Sequence, residues 1–199
     1  DKNCDSCNGC GLCLAGTYSA FDGMTLCASC DPGEYSAAAG ATSCETCPAG
    51  TYSDATDLTQ CTDCGPGEYS DEGSGECELC APGKWSAGGA SSCTDCLAGT
   101  YAPGSGNFQC TDVERGSYND ADGADDFDPC PVGRYGHASE RSSLGAACPV
   151  CDSGSYQQLT GQIECAPCPA GTYNADGFGD PTKHDDEGDC TVCGAGEYQ

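Results

Sequence analysis

One recurrence constrains this chain more than any other feature. A Cys-x-x-Cys couple is followed, three residues past its second cysteine, by a Gly-x-aromatic triplet. Couples stand at Cys10/Cys13, Cys27/Cys30, Cys44/Cys47, Cys61/Cys64, Cys77/Cys80, Cys93/Cys96, Cys148/Cys151, Cys165/Cys168 and Cys190/Cys193, with half-couples at Cys110 and Cys130. The stations follow one another at 16 or 17 residues, apart from two intervals of 21 and 25 that hold insertions. The triplets contain every tyrosine and the single tryptophan, Trp85. A fixed period of this kind is the mark of a repeat architecture, in which a unit too small to fold alone is stabilised by its neighbours.

The rest of the composition removes the alternatives. Leu, Ile, Val and Phe together number 17 of 199 residues. So few large apolar side chains cannot offset the conformational entropy of folding. A formal charge of −26 opposes compaction further. The 22 cysteines are what remains to hold the chain together, and thiols in this number point to an oxidising compartment outside the cytosol. No apolar run approaches the length of a membrane span. No secretory leader is visible at Asp1, so a mature, leader-free segment is expected.

A defect in the pattern bears on which cysteines pair. Val113 stands where the second cysteine of one couple belongs, and Phe127 where the first cysteine of the next belongs. If the second cysteine of each couple bonds the first of the following one, positions 113 and 127 are partners and their joint loss leaves no orphan. If cysteines pair first with first and second with second, the same loss strands Cys96 and Cys130. The hairpin scheme is the parsimonious one, with Val113 and Phe127 as an apolar substitute for one disulfide. A softer joint at this repeat is the functional alternative. The expected bonds are Cys13–Cys27, Cys30–Cys44, Cys47–Cys61, Cys64–Cys77, Cys80–Cys93, Cys96–Cys110, Cys130–Cys148, Cys151–Cys165 and Cys168–Cys190. Cys4, Cys7, Cys10 and Cys193 are left for intersubunit bonds or for partners outside this sequence.

The stretches "CETCPAGTYS" and "CAPCPAGTYN" resemble the ephrin-receptor-like cysteine-rich repeat, within the wider growth-factor-receptor and TNF-receptor-like cysteine-rich group. The resemblance extends over residues 10 to 199. It implies an elongated, disulfide-stapled extracellular stalk or interaction module without catalytic activity.

The fold class expected is small and disulfide-rich, with short β-hairpins and loops forming an elongated tandem-repeat rod that has neither helices nor a single hydrophobic core. In "CDPGEYSAAAGATSC" the runs "EYS" and "ATS" are the expected hairpin arms, around the bend "AAAG". Four segments follow from the pattern: a cysteine-rich lead-in at 1–12, a regular array at 13–110, a repeat lacking one disulfide at 111–129, and a continued array at 130–199. The last holds insertions at 131–147 and 169–189 and ends partway through a repeat.

Chemistry is sparse. Zinc ribbons share the C-x-x-C spacing, but grouping the couples in fours leaves Cys93/Cys96/Cys110/Val113 one ligand short, and four-thiolate sites would add charge to an anionic chain. "DADGADDFD" offers Asp120, Asp122, Asp125 and Asp126 as a weak calcium candidate but lacks the later bidentate glutamate; a solvated acidic loop is the plainer reading. His137 and His184 sit in insertions without a nucleophile or orienting partner and read as exposed loop residues. Six basic residues against 32 acidic ones exclude nucleic acid and anionic membrane surfaces as partners. No Asn-x-Ser/Thr acceptor occurs, while O-linked glycans are compatible with the abundant Ser and Thr. The expected function is an extracellular structural repeat protein, a stalk or filament-forming subunit that associates head to tail or continues in a longer chain. The alternative is a protein- or glycan-binding ectodomain segment. No cofactor is expected under either reading.

Overall fold

The structure, a computed structural model, describes residues 11–21, 26–137, 141–174 and 179–196. The described residues hold nine disulfides, each joining the second cysteine of one couple to the first of the next, from Cys13–Cys27 to Cys168–Cys190, in the order of the hairpin scheme. These bonds divide the chain into ten repeats: 13–27, 30–44, 47–61, 64–77, 80–93, 96–110, 113–127, 130–148, 151–165 and 168–190. Repeat 7, between Val113 and Phe127, has no staple.

Each repeat opens with a tight turn. In repeat 2 the Glu34 N–H donates to the Asp31 carbonyl (3.0 Å), with Pro32 second and Gly33 third in the turn at φ +86°. Proline at the second position and positive φ at the third are the requirements of a type II turn, so glycine is needed there for the backbone alone. The strand that follows is two residues long. Glu34–Tyr35 pairs antiparallel with Glu45–Thr46, in the register Glu34↔Thr46 and Tyr35↔Glu45. Nine such two-stranded sheets recur among the described residues.

Their register corrects the expected hairpin arms. The second arm is made of the two residues inside the next Cys-x-x-Cys couple, not of "ATS" at 41–43. The staple Cys30–Cys44 ends immediately before Glu45, so it brings the residues beyond it, rather than those before it, opposite the Gly-x-Tyr strand. Ala41 instead forms a parallel bridge with Tyr18 of the preceding repeat.

Helix appears where none was expected, among the described residues only as single turns in the two insertions. Leu144–Ala147 is one α-turn, with the Ser143 hydroxyl accepting from the Ala146 N–H. Pro181–Lys183 and Glu187–Asp189 are 3-10 turns capped by Asp180 and Asp186, the latter in a reciprocal capping box with Asp189. These caps satisfy the orphan donors of single turns that have no length to stabilise themselves.

The chain falls into two compact units, Asp1–Ala81 with Trp85–Thr94 and Gly104–Gln109, and Pro82–Lys84 with Asp95–Pro103 and Cys110–Gln199. Neither has an aliphatic core. The buried apolar residues are mainly second-position cysteines: Cys13, Cys30, Cys47, Cys64 and Cys80 in the first unit, Cys96, Cys130, Cys151 and Cys168 in the second. In the second unit Cys130, Cys148 and Ala147 form a small cluster against which Tyr118 and Leu144 pack.

Candidate functional site

The recurrent residues converge on the joints between repeats. In the first unit Gly16, Gly33, Gly50 and Gly67 donate their N–H to the carbonyls of Ser36, Ser53, Ser70 and Ser86 in the next repeat, at 2.8–2.9 Å. In the second, Gly99 and Gly116 do the same to Asn119 and Gly136 (2.8 Å each). A return bond runs from the loop of the following repeat to the second cysteine at seven joints from Cys13 to Cys130, as in Gly40 N–H to Cys13 O (2.7 Å) and Gly73 N–H to Cys47 O (2.8 Å).

The same glycines are also cradles. A Cβ on Gly16 would overlap the backbone of Asp57 two repeats on, and one on Gly33 would overlap Gly73. The pattern continues with Gly50 on Gly89, Gly67 on Gly106, Gly83 on Gly123, Gly116 on Gly161 and Gly133 on Pro181. The glycine of the triplet therefore answers two demands, positive φ and close backbone approach.

The residue after the ring completes the joint and was not singled out by the sequence. Ser36, Ser53, Ser70 and Ser86 are buried. The Ser53, Ser70 and Ser86 hydroxyls donate to Glu34 O, Thr51 O and Glu68 O of the preceding repeat, at 2.8–3.0 Å. Asn119 Nδ2 does this for Thr100 O (2.8 Å). The signal was present as the Ser in "GTYS" and "GEYS", but a small polar residue beside a turn reads as solvent-exposed until the stacking is known.

At the unstapled repeat Val113 takes over the cysteine's place. It is fully buried, as Cys96 and Cys130 are, and its N–H donates to Gly99 O (3.1 Å), as the Cys130 N–H does to Gly116 O (2.7 Å). Phe127 is half-buried and meets the Tyr101 ring edge-on, centroids 4.9 Å apart at 72°.

The calcium candidate does not assemble. Asp122 Oδ1 accepts from the Ala98 N–H (2.9 Å) and Asp126 Oδ1 from the Phe127 N–H (2.7 Å). A shallow pocket lies over Asp120, Asp125, Asp126, Phe127 and Asp128, but among the described residues no three His, Cys, Asp or Glu converge as metal ligands.

The two histidines differ. His137 is exposed and stacked on Tyr135 (4.9 Å, 12°). His184, expected to be an exposed loop residue, is buried at 1 % exposure. Its Nδ1 lies 2.8 Å from Ser155 O and 3.2 Å from the Asn174 side-chain amide; a carbonyl only accepts, so Nδ1 carries the proton when the Ser155 bond is made. The imidazole thus makes, in repeat 10, the cross-repeat bond that a serine hydroxyl makes elsewhere; Asn174, in the serine's place, donates to Lys183 O (2.5 Å). Its Nε2 is buried without a hydrogen-bond partner, so neither a nucleophile nor a second orienting group meets it.

Electrostatic perturbation falls on tyrosines at the rim. Tyr35 and Tyr69 donate their hydroxyls to Glu45 and Glu78 of the opposite strand (2.7 Å each), and these hydrogen bonds, helped by the carboxylate charge, raise both phenols above their ordinary value. Desolvation raises Tyr118, with Asp128 and Asp120 adding to it, and raises Tyr156 with help from Glu187. Asp180 is lowered by the hydroxyl and N–H of Thr182.

Cys193 is a free, half-buried thiol, and Cys4, Cys7 and Cys10 lie outside the described residues. No helix among the described residues is long and apolar enough to cross a membrane.

Two segments, 16–64 and 136–176, match the family described as tyrosine-protein kinase ephrin type A/B receptor-like. No match was found among curated proteins. The nine disulfides and the two matched segments fit an extracellular placement.

Proposed function

The chain carries ephrin-receptor-like cysteine-rich repeats, and from this premise we propose that it serves as an extracellular structural element, a disulfide-stapled stalk or filament-forming subunit of a surface appendage, sheath or matrix. One observation carries the reading: the recurrent glycine and the buried residue after the ring are used in holding one repeat to the next. What is left outward is largely acidic, small or hydroxylic, with single apolar side chains such as Leu79 and Phe108 scattered among them, a surface suited to solubility and spacing. In this reading the protein has no catalytic activity and needs no cofactor, and its partners are further repeats of the same kind and glycans, not nucleic acid or a lipid bilayer.

A second reading has an observation of its own. Leu159 and Ile163, four residues apart in the loop of repeat 9, are 63 % and 45 % exposed, an apolar pair within one loop. Exposed apolar groups of this kind suit a protein-binding receptor ectodomain, the context that the family's description suggests. Negative-stain imaging of native material separates the two. Regular filaments or stalks support the structural reading, whereas isolated particles that capture a soluble ligand, lost in the double substitution Leu159→Ser with Ile163→Ser, support the receptor.

A further inference from the structure

Repeat 7 differs from every other repeat in what a broken peptide bond does to the chain. A bond cut inside 13–27, 30–44 or any other stapled repeat leaves the two ends tied through the disulfide that closes it. Between Cys13 and Cys190, the stretches outside such loops are the two-residue interiors of the couples and one longer segment, residues 111–129. The basic residues divide accordingly. Lys84 lies within the Cys80–Cys93 loop, Arg134 and Arg141 within Cys130–Cys148, and Lys183 within Cys168–Cys190. Arg115, second in the turn that opens repeat 7, lies within none. It is exposed, and among the described residues no hydrogen bond or ion pair holds its side chain. By contrast, Lys84 pairs with Asp95, and Arg134 Nη1 donates to Cys148 O (2.7 Å).

We propose that repeat 7 is a proteolytic processing site, where an endopeptidase selective for basic residues hydrolyses the Arg115–Gly116 bond. Water adds across the peptide bond, leaving a carboxylate on Arg115 and an amine on Gly116, and no other reactant is required. The guanidinium is the recognised group, taken by an acidic specificity pocket of the protease. The folded turn holds the bond back. Ser117 N–H donates to Glu114 O (3.2 Å), and Gly116, buried against the Gly161 backbone, donates its N–H to Gly136 O (2.8 Å). Cleavage therefore proceeds from an opened form of the repeat, at a rate set by how often it opens. In the stapled repeats a disulfide restricts that opening. Here the burial of Val113 and the edge-on contact of Phe127 with Tyr101 oppose it instead. A stalk and a receptor segment would alike be divided at one defined bond, with all nine disulfides left intact.

Brief digestion of the intact, oxidised chain with trypsin tests this, read by mass spectrometry and by denaturing gels run without reductant. The expected result is two separate fragments, one ending at Arg115 and one beginning at Gly116. Cuts at Lys84, Arg134, Arg141 or Lys183 should part the chain only after reduction. Arg115→Gln, a change at an exposed position, should leave one covalently joined body. Once its tenth bond has formed, the double substitution Val113→Cys with Phe127→Cys should slow cleavage at Arg115 by about tenfold or more and hold the halves together afterwards. Native material, mapped with a protease that does not cut after basic residues, should contain peptides beginning at Gly116. Four results overturn the proposal: a wild-type chain that stays in one piece while its stapled repeats are cut, division of Arg115→Gln at the wild-type rate, a stapled variant cut as fast as the wild type, or native chains that all keep the Arg115–Gly116 bond.

Discussion

At the residue scale the bends allow a direct comparison. Gly40, Gly73, Gly89, Gly106, Gly123 and Gly161 adopt positive φ at the bend, and among the described residues Asp57 alone does so with a side chain, at φ +65°. The left-handed region costs a non-glycine residue roughly 1–2 kcal/mol, partly offset by the extra freedom glycine has when unfolded. Asp57→Gly is expected to raise stability by up to about 1 kcal/mol, read as slower amide exchange in repeats 2 and 3. Gly33→Ala should do the reverse, by ~2 kcal/mol or more, because it adds overlap with the Gly73 backbone to the same strain. The tyrosines titrate with a definite sign. Glu45 raises the Tyr35 phenol, so this pair's contribution is fully present below the unfolded value of about 10 and is lost as pH rises through the higher folded value. Absorbance titration near 295 nm should show Tyr35 ionising late, and Glu45→Gln should bring it earlier.

At the element scale the unit of stability is the joint rather than the hairpin, since a two-residue sheet cannot hold itself. Ser53→Ala removes a hydroxyl that donates to Glu34 O and accepts from the Gly33 N–H (2.8 Å), and should cost about 1 kcal/mol, read as faster exchange at repeats 2 and 3. Ala102 is the natural counterpart of that deletion. The unstapled repeat offers the converse test. A bridge over a loop of this length contributes roughly 3 kcal/mol, less the burial lost with Val113. The double substitution Val113→Cys with Phe127→Cys is expected to form a tenth bond by mass, with a net gain in resistance to unfolding. Free thiols at both positions would show that Val113 and Phe127 do not occupy a staple's geometry. The strand after each glycine was legible in the sequence, because Gly-x-Tyr follows every couple. Its partner strand was not: "ETC" and "TDC" read as polar spacers until the disulfide closes and brings them opposite the ring. The helical turns at Ser143, Asp180 and Asp186 were missed because single capped turns lack the apolar periodicity by which helices are read.

At the scale of the whole molecule, cross-links stand in for a core. With 17 large apolar residues, and Leu12, Leu14, Leu26, Leu79, Leu97 and Phe108 among those exposed, reduction should abolish protease resistance and the circular dichroism of the native chain. EDTA at the same pH should change neither. Loss of structure in EDTA alone would require a metal-dependent fold. The period and its defect determined by themselves that the chain is a tandem array held by cysteines, because spacing and pairing are one-dimensional properties. What each recurrent residue is for was decided only in three dimensions. Gly33 is a glycine because a backbone from two repeats away lies against it, Ser53 is buried because its hydroxyl reaches back one repeat, and His184 is buried because its insertion folds over to make that same bond. Such contacts join residues roughly 20 to 40 apart through the stacking of units, and no local pattern of hydrophobicity or turn propensity encodes a distance of that kind.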